Sequence, residues 1–130
     1  MPIPVTLLYG GLNTLLVTLL GLNLSLRRKA SATGPGTPLP PGLVRPARAH
    51  ANAAEWIPLG LVMLLAIELT GRVPSFWLHL LGGTFLLARL LHAAGMLTRS
   101  RLLTAGATLN YLVMLVMAAT ALTLAFTRIQ

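Results

Sequence analysis

Arg48-Ala49-His50-Ala51-Asn52-Ala53-Ala54-Glu55-Trp56-Ile57-Pro58 opens the second of four apolar runs in this chain. Arg48, Asn52 and Glu55 stand at i, i+4 and i+7, so a helix places all three on one face. A charged face at the mouth of a membrane-spanning helix is unfavourable unless it is paired or used. The rest of the chain decides what surrounds that face.

The 130 residues make one domain, residues 1–130. Mean hydropathy is +0.79 and only 9% of the residues are charged, the composition of a membrane protein. There is no cysteine, which excludes disulfides and thiolate metal sites. Any thiol chemistry must use a thiol carried by a ligand. The formal net charge of +8 would suit nucleic acid, but the cations cluster between apolar runs, so no nucleic-acid partner is expected. Met1-Pro2-Ile3-Pro4 lacks a basic segment before the first run, which is expected to be a retained span rather than a signal peptide.

The four runs cover residues 3–26, 49–71, 75–98 and 102–127, each long enough to cross about 30 Å of hydrocarbon at about 1.5 Å per residue. The expected fold is an all-α membrane protein, a left-handed bundle of four transmembrane helices. Five prolines and three glycines fall within residues 30–47, which predicts a flexible loop over 27–48. Pro74 is expected at or near the start of the third helix. Arg27, Arg28, Lys29, Arg45 and Arg48 flank the first connection, and Arg99 and Arg101 the third. Only Arg72 and Arg128 lie on the other side. This asymmetry predicts a cytoplasmic loop, with both termini on the non-cytoplasmic side. The excess of arginine over lysine, with abundant Ala, Leu, Gly and Pro, suggests a GC-rich bacterial genome and hence the inner membrane.

Depth from the basic side brings the polar residues together. Asn52 lies about 5 Å in, Glu55 about 9 Å, His92 about 9 Å, Asn110 about 12 Å and Arg89 about 14 Å. Arg89, His92 and Met96 share one face of the third helix. No comparable set is expected in the outer leaflet. Glu55 and Arg89 at matching depth suit an interhelical salt bridge that fixes packing. They equally suit a pocket for an anionic polar ligand, and the two readings can coexist. Glu68 precedes Arg72 by four residues and reads as a structural helical pair. Trp77 and His79 fit the outer interface. Pro58 frees the carbonyl of Ala54, and Gly82, Gly83 and Gly106 read as close-packing positions. The three histidines are too scattered for a metal site, and no phosphate loop, nucleophile elbow or dinucleotide fingerprint is present.

These residues resemble the membrane-associated proteins in eicosanoid and glutathione metabolism (MAPEG), in the style of the small bacterial members. The resemblance rests on four spans, the basic Arg27-Arg28-Lys29, the Arg48-x-His50-x-Asn52-x-x-Glu55-x-x-Pro58 run, and Ala88-Arg89-x-x-His92-x-x-Gly95. It implies a homotrimer that binds glutathione between neighbouring subunits in the cytoplasmic leaflet. It implies that Arg48, Asn52 and Glu55 contact glutathione, that Trp56 and His92 face the ligand, and that Arg89 supports the site. Arg101 is the nearest match to the arginine that stabilises the thiolate. The chain departs from the family at Met96, where active eicosanoid enzymes carry a tyrosine. Leu102 and Ala105 replace a serine and a tyrosine of one branch, and Ser25 replaces a basic residue.

The chemistry suits glutathione as co-substrate, a small anionic peptide with two carboxylates and one ammonium. Arginine forks match carboxylates, Glu55 suits the ammonium, and a nearby guanidinium favours the thiolate. The expected function is a glutathione-dependent transferase or peroxidase acting on a lipophilic small molecule that arrives through membrane lipid. One alternative is a non-catalytic trimeric binding or scaffold protein of the same fold. Another is a small multidrug exporter, disfavoured because the first run has no carboxylate to couple protons.

Overall fold

A computed structural model describes residues 2–34 and 36–127. Four helices follow in order: α1 Pro4–Ala30, α2 Pro41–Leu69, α3 Ser75–Thr98 and α4 Leu102–Phe126. At 24 to 29 residues each they are about 36–44 Å long, enough to span a bilayer and reach into its interfaces. The described residues contain no strand. The helices run up and down, so the basic residues 27–29, 45, 48, 99 and 101 gather at one end. Arg72 lies at the opposite end, and Arg128 lies outside the described residues.

The first connection is shorter than the proline content suggests. Only residues 31–40 separate α1 from α2, in place of the expected loop over 27–48. Arg27, Arg28 and Lys29 form the last turn of α1, where cations offset the negative end of the helix dipole. Pro40 is the N-cap of α2 and Pro41 its first residue, positions where a missing N–H costs nothing. Pro46 and Pro58 lie inside the helix without ending it. Pro46 withholds a hydrogen bond from the carbonyl of Gly42, but Gly42 is exposed near the helix start.

The start of α1 leaves no first-turn donor from Pro4 to Thr6 unpaired, and the regular helical ladder begins at Leu7. Pro4 has no N–H to satisfy. Val5 donates to Glu68 Oε1 at 2.9 Å and Thr6 to Glu68 Oε2 at 2.7 Å. Leu7 donates to the carbonyl of Ile3 at 3.0 Å. The carboxylate at the end of α2 therefore caps α1 across the bundle, where negative charge also suits the helix dipole. This corrects the expected Glu68–Arg72 pair, since Arg72 Nη1 instead donates to the carbonyl of Leu124 at 3.2 Å.

Glycines set how closely the helices approach. The buried Phe85 ring of α3 sits on Gly60 of α2, and the Tyr9 ring of α1 sits on Gly82 of α3; a Cβ at either glycine would overlap the ring. Between α3 and α4 the contact is backbone to backbone. Gly95 faces the backbone of Leu103, and Gly106 faces the backbone of His92 and the carbonyl of Ala88. Small residues at membrane-helix interfaces permit this spacing. Arg99 ends α3 with a left-handed φ of 59° and turns the chain into α4. Phe85, Leu64, Ile67 and Met117 are the largest wholly enclosed apolar side chains. Most large apolar residues of α1 and α4 point outward, which only a lipid or protein surround makes favourable.

Candidate functional site

The close approach of α3 and α4 at Gly106 has a direct consequence. Asn110, one turn further along α4, comes level with Arg89, three residues before His92 on α3. Arg89 is 2% exposed. Its Nη1 donates to Asn110 Oδ1 at 3.3 Å and its Nη2 to Asn52 Oδ1 at 3.0 Å. One guanidinium thus joins α2, α3 and α4. Its Nε is buried without a partner among the described residues.

This arrangement replaces the expected Glu55–Arg89 salt bridge. Among the described residues, the hydrogen-bond partners of Arg89 are two asparagine carbonyls. The reason is rotational. Asn52 is half-buried at the edge of the shared face, within reach of Arg89, whereas Glu55, about 60° further around α2, is exposed. Arg48 is exposed on that side as well. Equal depth does not ensure that two side chains meet.

A recess of about 30 Å³ adjoins the arginine, lined by Asn52, Trp56, Arg89, His92, Asn110 and Tyr111. Trp56 lies one turn beyond Asn52, and its ring meets Tyr111 edge to face at 5.5 Å. His92 is buried against this set. A volume of this size holds about one water molecule, and a ligand as large as a tripeptide does not fit inside this recess.

Of the residues expected from sequence, Asn52, Trp56, Arg89 and His92 come together. Arg48 and Glu55 remain on the exposed face of α2. Arg101 is exposed on the turn that opens α4. Asn110 was expected at this depth, but its bond to Arg89 was not. Tyr111 was missed, although it follows Asn110 and matches the level of Trp56.

A second polar group occupies the opposite half of the bundle, where none was expected. The Tyr9 hydroxyl lies 3.3 Å from His79 Nδ1 and donates to the His79 carbonyl at 3.1 Å. Asn13, fully buried, donates from Nδ2 to the carbonyl of Tyr9 at 2.8 Å. With Thr6 and Glu68 these residues tie α1 to α2 and α3. Their spacing on α1 (6, 9, 13) was the available signal, since it repeats at helical intervals.

No curated protein matches this chain. The MAPEG family model matches residues 6–123, nearly the whole sequence, and reaches into all four helices just described. Four membrane-length helices, carrying the polar residues of α2 and α3 at the spacing quoted above, make this integral membrane protein a member of the MAPEG family.

Proposed function

We propose that the exposed Arg48–Glu55 face of α2 binds glutathione and that a neighbouring copy completes the site in a homotrimer. The supporting observation is the division of the polar residues. Arg89 is buried and engages Oδ1 of the half-buried Asn52, while Arg48 and Glu55 are exposed with no ion pair among the described residues. Charges at the edge of a membrane span require a counterpart, and a second subunit with a zwitterionic peptide between supplies one.

In this reading Arg48 takes a glutathione carboxylate and Glu55 the ammonium. Asn52, whose Oδ1 is engaged by Arg89, offers its amide N–H groups to the peptide. Arg101 is assigned to the thiolate. The thiol proton passes to water, and the sulfur lone pair forms a bond to a lipophilic electrophile as its leaving group departs. With a hydroperoxide, two glutathione thiols are oxidised to the disulfide while the peroxide is reduced to alcohol and water. The basic end faces the cytoplasm, in a bacterial inner membrane.

Titration calorimetry with glutathione tests the assignment. Arg48→Ala should lose about 1.5–3 kcal/mol of binding, or roughly 10- to 150-fold in affinity, with the oligomer intact. Undiminished affinity would refute the site. The engagement of Arg89 by two asparagines also favours a second reading, in which the polar lock serves assembly and no turnover follows. Conjugation of glutathione to chlorodinitrobenzene separates the two readings. Binding without product selects the non-catalytic one.

A further inference from the structure

A groove of about 360 Å³ opens at the basic end, away from the Arg48–Glu55 face. Its floor is Leu16 and Leu20 of α1 and Leu97 of α3, and its mouth carries Asn23, Arg27 and Arg45. The groove exists because the first turns of α2 bring little side chain to it. Gly42 has none, and a Cβ placed there meets nothing within 4 Å.

Both arginines are fixed by one nitrogen. Arg27 Nε donates to Asn23 Oδ1 at 2.9 Å, and Arg45 Nη1 donates to the carbonyl of Met96 at 3.2 Å. Each thereby keeps further N–H donors for another acceptor. No carboxylate of this chain can serve both. There are only two, and Glu68 is engaged at the far end of the bundle. Glu55 lies ten residues beyond Arg45, about 15 Å along α2. A counter-anion that bridges the two arginines therefore comes from outside the chain, and the groove below it is lined by leucines.

We infer that this groove is a binding site for an anionic phospholipid of the leaflet at the basic end. The phosphate sits between Arg27 and Arg45, and one acyl chain lies along Leu16, Leu20 and Leu97. Charge complementarity selects the headgroup, because planar arginine forks match phosphate oxygens. Basic pockets between membrane helices on the cytoplasmic side are suited to such headgroups. The leucine floor selects a lipid over a free phosphate. The inference is independent of the glutathione reading, since neither arginine belongs to that site.

Native mass spectrometry of the delipidated protein in neutral detergent provides the test. The probes are dioleoylphosphatidylglycerol, dioleoylphosphatidylcholine and glycerol phosphate. Phosphatidylglycerol should bind at least tenfold more tightly than phosphatidylcholine, and glycerol phosphate should not be retained. Arg27→Gln should cut that preference at least fivefold. Gly42→Leu, which fills the groove and leaves both arginines in place, should weaken phosphatidylglycerol binding by a similar factor. Thermal unfolding of the lipid-free variants checks that the fold persists. Equal binding of the two lipids would reduce the groove to ordinary lipid contact and overturn the inference. So would glycerol phosphate binding as tightly as the lipid, or unchanged lipid affinity in a folded Gly42→Leu variant.

Discussion

Arg89 joins three helices through one planar group, and its two bonds differ in length. The bond to Asn52 is 3.0 Å and that to Asn110 is 3.3 Å. Hydrogen bonds to charged groups contribute about 1.5–3 kcal/mol each, and a stranded buried donor adds to the loss. Asn52→Ala should therefore lower stability by about that amount, and Asn110→Ala by less. Thermal unfolding in detergent checks the order, and a reversed order would show that the α4 contact dominates. The sequence revealed these residues by their depth, because position along a helix is linear in residue number. It did not reveal their partners, because partnering depends on how each helix is turned about its axis. Glu55 and Asn52 differ by three residues, about 60° around the helix, and that turn leaves Asn52 half-buried and Glu55 exposed. Tyr111 escaped notice for a similar reason: an aromatic residue on an apolar helix carries no sign of what it will touch.

At the scale of elements, α1 depends on a cap supplied by another helix. Glu68→Ala would strand the N–H groups of Val5 and Thr6, at about 1–3 kcal/mol for each buried donor. Glu68→Gln retains one carbonyl oxygen and should be milder. Hydrogen exchange at the first turn of α1 reads this directly, with faster exchange at Val5 and Thr6 in the alanine variant and little change at the end of α4. All four helices were legible as apolar runs, since each must satisfy its own backbone within lipid. The basic-side ends of α3 and α4 were legible too, at Thr98 and Leu102, but those of α1 and α2 were not. There α1 continues through three cations and α2 begins at Pro41, both beyond the apolar stretch that marked the spans. Prolines 40, 41 and 46 suggested a loop, yet the first two sit where a helix tolerates proline. The cap on α1 was hidden because Glu68 also stands at helical-pair spacing from Arg72. A local pairing rule does not see a donor 63 residues away.

For the whole molecule, the basic end carries seven cations against Arg72 at the other end of the described residues. In the cytoplasm-facing orientation proposed here, Thr37→Cys should resist a membrane-impermeant thiol reagent added to spheroplasts and react once the membrane is opened. The absence of native cysteine leaves that label without background. Prompt reaction in intact spheroplasts would invert the assigned orientation. The carboxylate of Glu68 also gives the molecule a property that reaches beyond helix capping. The α1–α2 hairpin is fastened twice, by covalent chain through residues 31–40 and by the Glu68 clasp at its opposite end. Chain continuity in the linker is then not what keeps α1 in place. A protease site inserted there can be cut, and the two pieces should still co-purify as one folded body. The same cut in a Glu68→Ala background should let the pieces part more readily, because only the Tyr9 contacts with His79 and Gly82 and the apolar packing of Val5 and Leu20 then hold α1.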